Sequence, residues 1–182
     1  PPRSTPLYSS AASDVYKRQE MKSTGEVMGF DENFGMAFAK SQIAASNSLP
    51  TKGLAFISLK NSHKSEGVAL AKQLLSLNFK LCGTSGTADF ISKHGITCQK
   101  INKVNQGSPH IVDVLNSKRI ALVINTGGGN SEKQLNDALA LRRATLANKV
   151  PYCTNMSTAY ACIKGIEALK TKKLKVSSLQ DN

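Results

Sequence analysis

Apolar and polar positions alternate along most of the chain between short strand-like runs and longer helical ones. Leu54–Leu59 (LAFISL) is an apolar stretch of strand length, and Ser65–Leu77 places Val68, Ala71, Leu74 and Leu75 at helical spacing. The pattern then repeats. Phe79–Cys82 predicts a strand and Thr87–His94 a helix, followed by a short strand at Ile96–Ile101 and a short helix at Pro109–Asn116 with proline in its first turn. Ile120–Asn125 predicts a strand, Ser131–Asn148 a long helix capped by Ser131, Val150–Thr154 a last strand and Ser157–Leu169 a last helix. Alternation with connections this short predicts right-handed βαβ units and a parallel sheet covered on both faces. The fold class is therefore α/β, a small doubly wound parallel sheet of about five strands over residues 53–182.

The first third of the chain reads differently. Residues 20–50 hold a loop-like Lys22–Glu26 and an amphipathic helix over Glu32–Ala45, closed by Pro50–Gly53. Residues 1–19 carry three of the six prolines and no apolar periodicity, which predicts disorder. Within them, Ala11–Gln19 (AASDVYKRQ) resembles a translated sequencing adapter, so the segment is set apart as a non-native tail.

Composition narrows the function classes. The 182 residues hold 24 Lys and Arg against 12 Asp and Glu, a net charge of +12 that stays at +10 without the tail. Apart from Lys170–Lys175, the basic residues are spread out, with no aromatic interleaving for base stacking. The charge therefore reads as serving anionic small ligands or solubility alone, and not nucleic acid. No apolar run approaches the ~18–20 residues of a membrane span, and no membrane partner is expected. Cys82, Cys98, Cys153 and Cys162 show neither C-x-x-C pairing nor metal-ligand spacing with His63, His94 or His110. They predict buried thiols in a reducing cytoplasm, and no metal.

In open α/β sheets, ligands bind beyond the carboxyl ends of the strands, where the strand order reverses. The predicted strand ends carry Lys60, Thr84–Thr87, Lys103, Asn125–Gly129 and Thr154–Ser157, a polar, basic and glycine-rich edge. In Gly83-Thr-Ser-Gly-Thr87, a strand turns onto a helix start, where unpaired N–H groups and the positive end of the helix dipole favour an anion. Thr84 and Thr87 could add hydroxyl donors, or could simply cap the helix. Lys64 and Lys103 stand on the same edge, each either a point charge for a phosphate or an ordinary surface lysine. Asn125–Asn130 (NTGGGN) reads either as a ligand loop, in which glycines allow close backbone approach, or as a turn needing glycine for shape alone. His110 and Asp113, three residues apart, form a conceivable catalytic pair with no recognisable nucleophile beside them.

Taken together, Gly83–Thr87, Asn102–Ile111, Val123–Thr126, Leu141–Arg143 and Lys149–Tyr152 resemble, in order and spacing, the C-terminal regulatory domain of the carbamoyl-phosphate synthase large-subunit family. Glu20–Gly29 resembles the end of that family's second ATP-grasp half, and Val176–Gln180 its C-terminus, so the likeness runs over residues 20–182. It implies a methylglyoxal-synthase-like fold and a regulatory site for the nucleotides UMP and IMP. By matching positions, that site comprises Lys64, Thr84, Thr87, Lys103, Asn125 and Thr126. Two positions depart from the family. Cys153-Thr154 stands where an Asp-Thr pair meets the effector ornithine, so the partner of a ligand ammonium is lost. Gly127 stands in place of a threonine. The ATP-grasp halves, where ATP and Mg act, are not in this stretch, which implies no synthase activity for it alone. The implied partners are the remainder of the large subunit, a glutaminase small subunit and a homo-oligomer contact. Two other readings share these residues: a structural oligomerisation domain without ligand, and a lyase resembling methylglyoxal synthase. The lyase needs a carboxylate base, and that family's Gly-Gly-Asp loop falls where this chain has Gly127-Gly-Gly-Asn130.

Overall fold

The computed structural model describes residues 27–127 and 132–175. The tail at residues 1–19, the loop at 20–26, the Gly128–Asn130 part of the glycine loop, the Ser131 cap and the closing Val176–Gln180 lie outside the described residues. Helix α1 (Phe34–Ala44) precedes an alternation of β1 (Gly53–Ser58), α2 (Lys64–Ser76), β2 (Phe79–Gly83), α3 (Ser85–Lys93), β3 (Gln99–Lys100) and α4 (Ile111–Asn116). It continues through β4 (Ile120–Asn125), α5 (Glu132–Ala147), β5 (Tyr152–Cys153) and α6 (Met156–Thr171). The five strands form one sheet in the order β3-β2-β1-β4-β5, every pairing parallel. The expected α/β class and strand number hold. The order reverses between β1 and β4, which pair through to Ser58 opposite Asn125.

Period-two burial explains why the strands read as unbroken apolar runs. Ala55 and Ile57 of β1, Leu81 of β2 and Leu122 and Ile124 of β4 face one layer, with Leu70, Leu74, Ala88, Ile91, Ala159 and Ile163 from α2, α3 and α6. Phe56, Cys82 and Val123 face the other, against Ile111 and Leu115 of α4 and Leu141 of α5. Both faces are dry, as a parallel sheet with helical crossovers requires. Each fully buried side chain of this size contributes roughly 1.5–3 kcal/mol relative to exposure.

Helix α1 belongs to the same core through Ala39, and the following Leu49 joins it. Asn33 caps the helix, its side chain accepting from Met36 N–H at 3.1 Å. The helix then crosses α6 at backbone contact distance. A Cβ on Gly35 would fall 2.3 Å from the Lys164 carbonyl oxygen, and one on Gly165 would fall 2.6 Å from Leu49 Cδ1. Two glycines make that approach available.

Several boundaries differ from the sequence pattern. Helix α3 begins at Ser85 instead of Thr87, because the Thr84 carbonyl already accepts from Thr87 and Ala88 N–H at 2.9 and 2.8 Å. Helix α4 begins after Pro109, because Asp113 accepts from His110 N–H at 2.9 Å and fixes the start at Ile111. Strand β3 shrinks to two residues at the sheet edge, where Ile101 N–H still donates to the Gly83 carbonyl at 2.9 Å and Ile96 is buried by packing.

Candidate functional site

The reversal point opens onto a cavity of about 500 Å³ beyond the strand ends. Lys64, Thr84, Thr87, Lys103 and Asn125 all line it, so residues from four separate loops meet there as the sequence edge predicts. Thr126 sits beside them at 8% exposure. Its hydroxyl accepts from Lys60 N–H at 3.3 Å while its own N–H donates to the Ser58 carbonyl at 3.0 Å, joining the ends of β1 and β4. Thr154 is exposed and stands apart from the cavity lining. Cys153 points into the core, its Sγ 3.4 Å from that of Cys162. The hydrogen bond it donates to Cys162, with burial adding to it, pushes the Cys153 thiol well above the usual range.

One corner is shaped for an anion. Thr84 occupies the N-cap position of α3 in extended conformation without capping the helix by its side chain. Its hydroxyl instead donates to Thr87 Oγ1 at 3.2 Å, and Thr87 Oγ1 also accepts from Leu59 N–H at 3.0 Å. The two threonines therefore line the cavity and also stitch α3 to the end of β1. Gly83 lets β2 lie close to β1, since a Cβ there would sit 2.5 Å from the Ile57 carbonyl oxygen. Lys64 opens α2 and reaches across so that its Nζ lies 3.5 Å from where a Gly86 Cβ would stand and 6.0 Å from the centre of the Phe90 ring. Cation and ring attract at that distance. Among the described residues neither Lys64 nor Lys103 forms an ion pair. Lys60 also lines the space, so three lysines border it from two loops.

The opposite wall comes from α5, which contributes Gln134, Asp137, Ala138 and Leu141, and from Phe56, Val104 and Ile111, which add an apolar floor. Sequence reading missed these. A helix lying across a strand-end cavity presents side chains whose spacing in sequence carries no mark of the site. The nearest available signal was that α5 must cross beside the reversal point to reach β5. Asp137 also places a carboxylate in a cavity where the loop sequence shows none. The conceivable pair His110 and Asp113 is used structurally instead. Asp113 accepts from His110 N–H and from the Ser108 hydroxyl at 2.8 Å, and these bonds hold its carboxyl below the usual range. Neither residue lines the cavity.

Among the described residues no cluster of His, Cys, Asp and Glu is arranged to hold a metal, and no helix is long and apolar enough to cross a membrane. The MGS-like domain family matches residues 66–154. Over 168 residues the chain is 44% identical to a carbamoyl phosphate synthase large chain of Mesorhizobium japonicum, covering 92% of this chain and 14% of that one. It is 43% identical over 162 residues to the C-terminal section of a carbamoyl phosphate synthase large chain of Methanopyrus kandleri, covering 89% of this chain and 30% of the relative. The chain thus spans only 14% to 30% of the length of these relatives. Among solved structures, a methylglyoxal synthase from Elizabethkingia anophelis NUHP1 matches at TM-score 0.52 and 13% identity, over 71% of this chain and 97% of that one. That likeness is one of fold.

Proposed function

Because the chain carries an MGS-like domain and matches the C-terminal part of carbamoyl phosphate synthase large chains, we propose that its cavity binds a mononucleotide and serves as a regulatory site. The observation that carries this reading is the meeting of Lys64, Thr84, Thr87, Lys103 and Asn125 around one space beside the start of α3. The phosphate sits on the threonine turn, receiving hydroxyl and first-turn N–H donors, with Lys64 and Lys103 neutralising its charge. Beta strands lie roughly 4.8 Å apart, so the step from the end of β2 to the end of β4 is roughly 10 Å, a length that suits a phosphate with its sugar and base. Asp137 and Gln134 stand on the far wall. UMP and IMP are the effectors we assign.

In this reading residues 53–182 form the regulatory domain, residues 20–50 connect it to a preceding catalytic half, and residues 1–19 are foreign to the natural protein. The whole enzyme would be an ATP-dependent ligase making carbamoyl phosphate, with Mg and ATP bound elsewhere and a glutaminase subunit as partner. The present stretch would be inactive alone. Val27, Met28, Phe30 and Phe34 are exposed where the chain enters α1, and the remainder of the large subunit would cover them.

Calorimetric titration with UMP and IMP tests the proposal. Charge-assisted bonds of this kind contribute roughly 1.5–3 kcal/mol each, so Lys103→Ala should weaken binding about tenfold or more. Saturable binding that is lost in a Thr84→Ala/Lys103→Ala variant is the expected result. No binding of either nucleotide would favour a purely structural domain. Production of methylglyoxal from dihydroxyacetone phosphate would instead give Asp137 the role of a base.

A further inference from the structure

We infer that Tyr152, on the edge strand β5, is a positioning residue for the cavity: its hydroxyl fixes the Asn125 amide so that the cavity is offered a hydrogen-bond donor there. This deepens the mononucleotide reading and rests on it. Asn125 ends β4 at 8% exposure and lines the space. The terminal torsion of an asparagine is broad and roughly two-fold, so only its partners decide which end faces where. Here both partners are visible. Asn125 Oδ1 accepts from Gly127 N–H at 3.2 Å, and a main-chain N–H can only donate, so the oxygen is committed to that side. Asn125 Nδ2 then donates to the Tyr152 hydroxyl at 3.1 Å. One N–H of the amide remains, and the ligand group that meets it must be an acceptor, such as a base carbonyl or a sugar oxygen.

The register explains why Tyr152 can do this. Tyr152 pairs with Val123, and Asn125 follows two residues later on the same face of the sheet. Adjacent strands lie roughly 4.8 Å apart and two residues rise roughly 6.6 Å, so such diagonal neighbours are roughly 8 Å apart, within reach of an aromatic side chain but not of a short one. The ring packs partly buried against the second core layer, which holds the hydroxyl in place. Beyond Asn125, its Oδ1 accepts from the Gly127 N–H, so the amide that Tyr152 orients also sets the turn at Gly127, a residue that lines the cavity.

Tyr152→Phe deletes the hydroxyl and keeps the ring. UMP, IMP and inorganic phosphate would be titrated into the wild type, this variant, Asn125→Ala and the double variant. Exchange of the Gly127 amide would be followed by NMR. Nucleotide affinity should fall roughly three- to tenfold, the loss of one neutral hydrogen bond. Phosphate affinity should stay unchanged, because Thr84, Thr87 and Lys64 hold that end. In the Asn125→Ala background, Tyr152→Phe should cost nothing further. Unchanged nucleotide affinity, an equal loss for phosphate, or an additive double variant would each overturn the inference. If the wild type binds neither nucleotide, the functional reading fails instead. Gly127 exchange then decides the role of Tyr152 by itself: faster exchange in the variant sustains it and unchanged exchange removes it.

Discussion

At 1% exposure, the Thr87 hydroxyl oxygen accepts inward, from Leu59 N–H and from Thr84. A substitution there therefore reaches the fold before it reaches a ligand. Thr87→Val is close in shape but leaves a buried N–H without a partner, which costs about 1–3 kcal/mol. A lowered urea midpoint with an unchanged m-value would show it. Sequence reading left the choice between capping and ligand roles open at this turn, and the structure uses the hydroxyls in a third way, between elements. Lys64, Thr84, Lys103 and Asn125 were legible because each follows or ends an apolar run, and a parallel sheet gathers such positions on one edge. Asp137 and Gln134 were not, because nothing in a helical repeat tells which turn passes over a cavity. Tyr152 was hidden for another reason: its contact depends on register between β4 and β5, which local spacing does not contain.

Helices and strands were read more securely than their ends. The apolar runs at Ile120–Asn125 and Leu54–Leu59 mark β4 and β1 almost residue for residue, since strands buried on both faces can hardly read otherwise. Helix starts depend on one or two capping bonds, and so Thr84 and His110 moved two boundaries that hydrophobic spacing had placed elsewhere. Backbone proximity is equally invisible in a pattern of apolar residues. The α1–α6 crossing rests on Gly35, whose added Cβ would meet the Lys164 carbonyl at 2.3 Å. Gly35→Ala forces the helices apart and should cost about 1–3 kcal/mol, the usual penalty of overpacking. Thermal unfolding measures it directly. A midpoint equal to that of the wild type would mean that α1 contributes little to holding the fold.

For the whole molecule, alkaline pH probes how dry both core layers are. Burial pushes the Cys82 thiol up to about 12 and the Cys98 thiol up to about 11, from an ordinary value of 9.0. The folded state therefore keeps these protons where the unfolded chain has lost them. Stability from this source is full below pH 9.0 and declines as pH rises toward 11 and 12. Urea midpoints recorded from neutral pH upward should fall in that window, and a flat profile would mean that water reaches the thiols. At the surface, α5 leaves Leu135, Leu139 and Leu146 exposed beside Arg142 and Arg143, and Val27 to Phe34 adds a second apolar area. At the glycine crossing α1 and α6 meet with no side chain between them, so the seating of one helix on the other is fixed by main-chain contact. Helix α6 begins three residues after β5, the strand whose tyrosine holds Asn125. The entry to α1 and the strand that holds Asn125 are thus joined through a single helix, α6.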